Sequence, residues 1–219
     1  GSIYTYPMES AIRRKERRED IIQSLEKDFQ VTRRYSLELF ELQQQYLEGT
    51  GSLVLDRKNK LAYACLSPRT DVRVLHKFGL LSGYEVIYFE ARDKNGYSIY
   101  HTNVLMAMGL DFVICCMDAV DAAKREYLET VFAKTGKELV SISFEQMEHF
   151  AGNMLQVRAA DGSPYLIMSQ TAYQSLTPEQ LSRLKAKTRV LVADIPTIES
   201  IGGGSVRCMM AENYLKPRD

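Results

Sequence analysis

What this chain lacks narrows its chemistry before any motif is read. It has no net charge: 28 Lys plus Arg balance 28 Asp plus Glu over 219 residues. No overall field therefore draws it to nucleic acid or to an anionic membrane surface. No apolar stretch approaches the roughly 20 residues that cross a bilayer, and no signal-peptide pattern opens the sequence. Only four cysteines occur, Cys65, Cys115, Cys116 and Cys208, and none stands in a C-x-x-C metal spacing. Cys115 and Cys116 fall in the apolar run Phe112–Met117, which reads as a buried strand. A reducing, cytoplasmic setting follows, with neither metal nor cofactor expected. Three histidines, His76, His101 and His149, are few enough to weigh singly.

What is present is ordinary in bulk, 45% apolar and 26% charged residues, as expected of a soluble globular protein. The informative feature is an internal repeat. Gly51, Asn103, Asn153 and Ser205 are separated by 52, 50 and 52 residues, and each precedes a short apolar segment. In the first three copies a second apolar run follows: Leu61–Leu66, Phe112–Met117 and Tyr165–Met168. Two runs joined by a polar turn predict a β-hairpin.

A helix and a closing strand are expected next. Thr177 as N-cap, Pro178 at the first helical position and Gln180 closing a capping box predict one helix start. A second helix is predicted over Asp118–Lys134, with Gly136 as its stop. Closing strands are expected at Glu85–Phe89, Glu138–Ile142 and Arg189–Val192. The unit is hairpin, helix, strand.

Run backward, the period makes Ile3–Tyr6 the second strand of a hairpin and Glu9–Phe29 the helix after it. On this reading the chain begins inside a repeat, with units at about 1–46, 47–99, 100–149, 150–200 and 201–219. One such unit cannot bury its own apolar faces, so the units pack together as a single domain. In the mixed-sign run Arg13–Asp20, Glu9 pairs with Arg13 and the charges form a solvated helix face. His76 and His149 read as surface residues.

Equivalent positions of repeated units gather at one end of the assembly. Glu48, His101 and Cys208 all lie within three residues of an anchor, at expected strand starts. A thiolate needs a neighbouring base or cation, and a histidine needs a carboxylate to fix its tautomer. These three supply those roles.

Four segments carry a resemblance to a known family: Leu47-Glu48-Gly49-Thr50-Gly51, Tyr100-His101-Thr102-Asn103, Phe150-Ala151-Gly152-Asn153-Met154, and Gly202-Gly203-Gly204-Ser205-Val206-Arg207-Cys208-Met209. Together they resemble the guanidine-modifying superfamily, the α/β propellers called penteins, nearest to the arginine-deiminase-related branch with its citrulline hydrolases. The resemblance runs from about Tyr4 to Tyr214. It implies an α/β propeller of repeated modules about a pseudo-fivefold axis, with the first module incomplete here. It also implies Cys208 as nucleophile on a guanidino or ureido carbon, His101 as acid and base, and Glu48 as the carboxylate beside them. Arg69 aligns with an arginine that meets a substrate carboxylate in some relatives, and a second acidic residue of the family would lie upstream of Gly1.

Asn103 departs from the His-x-Asp common in deiminases. An amide both donates and accepts, which suits a neutral ureido group such as that of citrulline. Asn103, Arg69 and Asn153 are therefore the expected substrate-binding residues. The expected activity is hydrolysis of C–N bonds in a small guanidino or ureido amino acid through a covalent cysteine intermediate. The rivals are an amidinotransferase and a non-catalytic propeller that only binds. The expected partner is that small molecule, with no nucleic acid or membrane, and homo-oligomerisation is left open.

Overall fold

A computed structural model describes residues 1–218. In chain order, β1 (Ser2–Thr5) leads to α1 (Glu19–Asp28) and β2 (Arg33–Ser36). The next unit holds α2 (Gly49–Ser52), β3 (Val54–Asp56), β4 (Leu61–Leu66), α3 (Val72–Ser82) and β5 (Glu85–Glu90). It is followed by α4 (Thr102–Leu105), β6 (Met106–Met108), β7 (Phe112–Cys115), α5 (Ala122–Lys134), β8 (Glu138–Ser141) and α6 (Phe144–Glu148). The last is β9 (Leu155–Arg158), β10 (Pro164–Ser169), α7 (Gln170–Ser175), α8 (Pro178–Lys185), β11 (Arg189–Ala193) and α9 (Pro196–Gly202).

The repeat is visible as three sheets of one design, ordered β3-β4-β5, β6-β7-β8 and β9-β10-β11. In each, the hairpin pairs antiparallel and its second strand pairs parallel with the closing strand across a helix. Parallel pairing demands such a crossover, because a tight turn can only reverse the chain. β1 and β2 form a two-stranded parallel sheet, so β1 holds the place of a second hairpin strand. The molecule is a mixed α/β fold with open sheets. The first strands stand side by side, β3 against β6 and β6 against β9.

Burial explains the strand sequences. Leu61, Ala62, Tyr63, Ala64 and Cys65 of β4 are buried on both faces, as are Phe112 to Cys115 of β7. A central strand covered on both sides reads as a continuous apolar run. Asp56 and Lys137 form a fully buried pair at 3.2 Å, and Lys137 Nζ also donates to the carbonyls of Gly109 and Leu110 at 3.0 and 2.6 Å. With three acceptors the ammonium keeps its charge satisfied away from water.

Helix ends follow the expected chemistry at α8, where Thr177 and Gln180 complete the capping box with Pro178 in the first turn. Gly136, in the left-handed region at φ 72°, stops α5. Three expectations need correction. Glu9–Phe29 is not one helix: a 3-10 turn at Arg13–Glu16 is separated from α1 by Arg17 and the extended Arg18, both non-helical. Asp118 and Ala119 form part of a 3-10 turn, and α5 starts only at Ala122. Finally, the anchor regions are not strand starts. Gly51 lies on α2, Asn103 on α4, and Cys208 on the 3-10 turn Val206–Met209.

Candidate active site

Single helical turns before β3 and β6 present the first two site residues. Glu48 is the N-cap of α2 and His101 the N-cap of α4, both in non-helical conformations that aim their side chains away from the turn. Gly49 adopts φ 53°, a left-handed geometry that glycine takes at little cost. The two turns are stitched together. Thr102 Oγ1 donates to the Ser52 carbonyl at 2.6 Å and accepts from Cys65 N at 2.8 Å. Ser52 Oγ accepts from Glu48 N at 2.9 Å and donates to the Arg69 carbonyl at 3.1 Å, so one hydroxyl positions two site segments.

Glu48 Oε2 lies 2.8 Å from His101 Nε2 with both side chains buried. Burial alone would raise the Glu48 pKa, but the hydrogen bonds from His101 and the Glu9 backbone N–H, with the charges of His101 and Arg69, hold it below its ordinary value. An ionised Glu48 only accepts, so Nε2 carries the proton and Nδ1 is left as the basic nitrogen. Gly51 permits this ring position: a Cβ there would stand 2.8 Å from His101 Nδ1.

Cys208 comes from the far end of the sequence to meet Asn103, two residues past His101, and Asn153. Asn153 Nδ2 lies 3.3 Å from its sulfur and Asn103 Nδ2 3.8 Å. Asn153 also donates to the Asn103 carbonyl at 3.1 Å and accepts from Arg207 N at 3.2 Å. These contacts tie the Asn153 amide to the turn that carries Cys208. Asn103 differs: its Oδ1 is buried without a hydrogen-bond partner. Leaving an acceptor unmade costs about 1–3 kcal/mol, so an N–H donor fits beside the sulfur.

Of the four cysteines Cys208 alone is exposed, and no disulfide forms among the described residues. Burial pushes Cys65 up to about 12 and raises Cys115 and Cys116. His76 and His149 are exposed, as expected. Among the described residues no cluster of His, Cys, Asp or Glu is arranged to hold a metal ion, and no helix is long and apolar enough to cross a membrane.

Arg13 is the site residue that sequence reasoning missed. Its guanidinium lies 3.7 Å from Glu48 Oε2, as does that of Arg69, which also packs over the Tyr100 ring at 5.2 Å. The Arg13 pKa is raised chiefly by its hydrogen bond to Glu16, with the charges of Glu48 and Cys208 adding to it. Glu9 does not pair with Arg13; it reaches Arg69 at 4.0 Å. Nor is the run a solvated helix face: Arg14 and Arg17 pair with the mostly buried Glu41. No motif marks Arg13, because its partner lies thirty-five residues away in a different unit.

A thiol, an imidazole–carboxylate pair and two guanidinium groups thus converge at one mouth. The family model for N,N dimethylarginine dimethylhydrolase, eukaryotic, matches residues 1–215.

The chain belongs to this family.

That family is one of guanidine-modifying penteins, in agreement with the four signatures. No curated protein matches the chain. Among solved structures, the apo form of ArgZ, an arginine dihydrolase from the ornithine–ammonia cycle in Cyanobacteria, aligns with TM-score 0.72 and 16% identity over 99% of this chain and 30% of its own. A variant of the ArgZ N-terminal domain, covalently bound to a reaction intermediate, aligns with TM-score 0.67 and 18% identity over 99% of this chain and 70% of that one. SxtG, an amidinotransferase from Microseira wollei in the saxitoxin pathway, gives TM-score 0.63 and 12% identity over 94% of this chain and 63% of its own. At these identities the likeness is one of fold. The chain spans less than a third of full-length ArgZ.

Proposed function

We propose that the protein is a cysteine-dependent hydrolase that cleaves a C–N bond in a small guanidino or ureido amino acid. The observation that carries this is the 2.8 Å Glu48–His101 contact two residues from Asn103, whose amide nitrogen lies 3.8 Å from the exposed Cys208 thiol. Cys208, as thiolate, attacks the guanidino or ureido carbon and a C–S bond forms. His101, protonated by the Cys208 thiol as the thiolate forms, gives that proton to the leaving nitrogen, and the C–N bond breaks to leave a thiouronium or thiocarbamoyl intermediate. His101 then takes a proton from water, which attacks the same carbon and releases Cys208. Glu48 holds the imidazole in place through Nε2 in both steps.

Arg13 and Arg69 supply paired guanidinium donors for a substrate carboxylate, the geometry at which arginine is strongest. Asn103 Oδ1 accepts an N–H of the reacting group, while Asn153 positions Cys208. The amide at Asn103 favours a ureido substrate of the citrulline type. The family's description points instead to N,N-dimethylarginine, whose guanidinium also carries N–H donors. The covalent intermediate recorded for the ArgZ variant supports covalent chemistry on this fold.

The three matching sheets with adjacent first strands support one propeller-like catalytic domain across 1–219, in the units expected from the repeat. Unpaired thiols support a cytoplasmic location. The test is to incubate full-length protein with arginine, citrulline, agmatine and N,N-dimethylarginine, measuring ammonia and dimethylamine. Release of amine from at least one supports hydrolysis, and arginine turned over much faster than citrulline would remove the ureido preference. No release from any, with amidino transfer to added glycine, would replace hydrolysis by transfer.

A further inference from the structure

A cavity of about 610 Å³ lies at the other end of the strands that carry the candidate active site. Glu48, His101 and Asn153 precede β3, β6 and β9; the cavity is walled by residues where those strands end, among them Leu55, Met108 and Val157. The strands are three or four residues long, so about 10 Å of extended chain separates the two places. The catalytic reading does not use this space.

Its charges are unequal and partly uncommitted. Four cations, Arg57, Lys58, Lys137 and Arg158, line it against two acids, Asp56 and Glu212. Lys137 is spent on Asp56 and two carbonyls. Arg57 is 3.5 Å from Glu212 and 4.0 Å over the Tyr214 ring, yet its Nε is buried with no hydrogen-bond partner. Lys58 and Arg158 are exposed and make no ion pair among the described residues. The Glu212 carboxylate offsets Arg57 at one side of this group, which leaves Lys58 and Arg158 as the uncommitted charges. Apolar walls with a few convergent polar donors, in a volume of several hundred Å³, are what a small-molecule site requires.

We propose that this cavity is a second ligand site, for a small anion with an apolar or aromatic body. The head group lies between Lys58 and Arg158, and the body packs on Leu55, Met108 and Tyr214. Charge-assisted bonds to two cations fix the head, and burial of the ring against apolar side chains supplies the rest. The site is independent of Cys208, so it stands or falls separately from the hydrolase reading.

Phenyl phosphate is a suitable probe, titrated calorimetrically into the full-length protein, with benzylamine as the probe of opposite charge. Saturable one-to-one binding of phenyl phosphate is expected, with no binding of benzylamine. Lys58→Gln/Arg158→Gln alters only exposed side chains and is expected to weaken binding at least tenfold, whereas Lys58→Arg/Arg158→Lys keeps it. Arg13→Gln/Arg69→Gln, which alters the catalytic mouth, leaves it within about twofold. The proposal is overturned if the wild type does not bind phenyl phosphate. It is equally overturned if Lys58→Gln/Arg158→Gln binds as well as wild type, or if the loss appears only in Arg13→Gln/Arg69→Gln.

Discussion

Glu48 and His101, fifty-three positions apart, meet at 2.8 Å because each caps the same short helical turn in successive copies of one repeat. Repetition thereby converts sequence distance into spatial contact, and the contact sets the tautomer of the imidazole. Glu48→Gln keeps the size but removes the charge that orders Nε2–H. A fall in kcat of about 100-fold or more is expected, with a much smaller change in KM, measured by steady-state amine release.

Gly51 lies where any side chain meets the His101 ring. A Cβ 2.8 Å from Nδ1 forces the imidazole to move. Gly51→Ala is therefore expected to fold, with near-native circular dichroism, while kcat falls by roughly 100-fold, the scale of an ångström's misplacement. Gly152 provides the contrast: a Cβ there would lie 2.2 Å from the Val104 carbonyl, backbone that cannot step aside. Gly152→Ala should lower the melting temperature as well as the activity.

Acid is expected to loosen residues 8–17 from Glu41 and Glu48. Glu48 accepts from Glu9 N, and Glu41 accepts from Met8 N at 2.9 Å and pairs with Arg14 and Arg17. For both carboxylates burial works upward, but their donors win and hold the pKa below the ordinary 4.5. A depressed carboxylate stabilises the fold fully above its unfolded value, and that stability is lost as pH falls through the lower folded value. Cleavage within residues 8–17 by pepsin, an acid-active protease, should accelerate as pH drops from about 4.5 to 3. Glu41→Gln should show that susceptibility already at the upper end of the range.

The Asp56–Lys137 pair is a test of the fold, apart from the chemistry. Each side chain is 1% exposed, so removing one partner strands the other's charge. Lys137→Met is expected to cost about 3–5 kcal/mol in urea unfolding. Asp56→Asn/Lys137→Met together should cost less than the sum of the two single changes.

Much of this was legible from the chain itself. The spacing of Gly51, Asn103, Asn153 and Ser205 sets the three matching sheets, and the Thr177–Gln180 capping box marks a helix start to the residue. Periodicity could not show that the anchors sit on helical turns, since α2 and α4 are four residues each, too short to express a 3.6-residue pattern. The break at Arg17 and Arg18 was invisible for another reason. The segment reads as a helix locally, but Arg14 bonds the Met8 carbonyl, and Arg17 the Tyr6 carbonyl and Glu41. Tertiary contacts override local propensity there. The Arg13–Glu48 contact and the Asn153–Cys208 contact were not legible, because neither is encoded by neighbours in sequence.

The most direct measurement of the central claim is mass spectrometry of the full-length protein quenched during turnover of N,N-dimethylarginine or citrulline. The account predicts a covalent adduct on the peptide containing Cys208, absent from Cys208→Ser, and accumulating when His101→Ala slows its hydrolysis. Undiminished turnover by Cys208→Ser, with no adduct on the wild-type peptide, would contradict it.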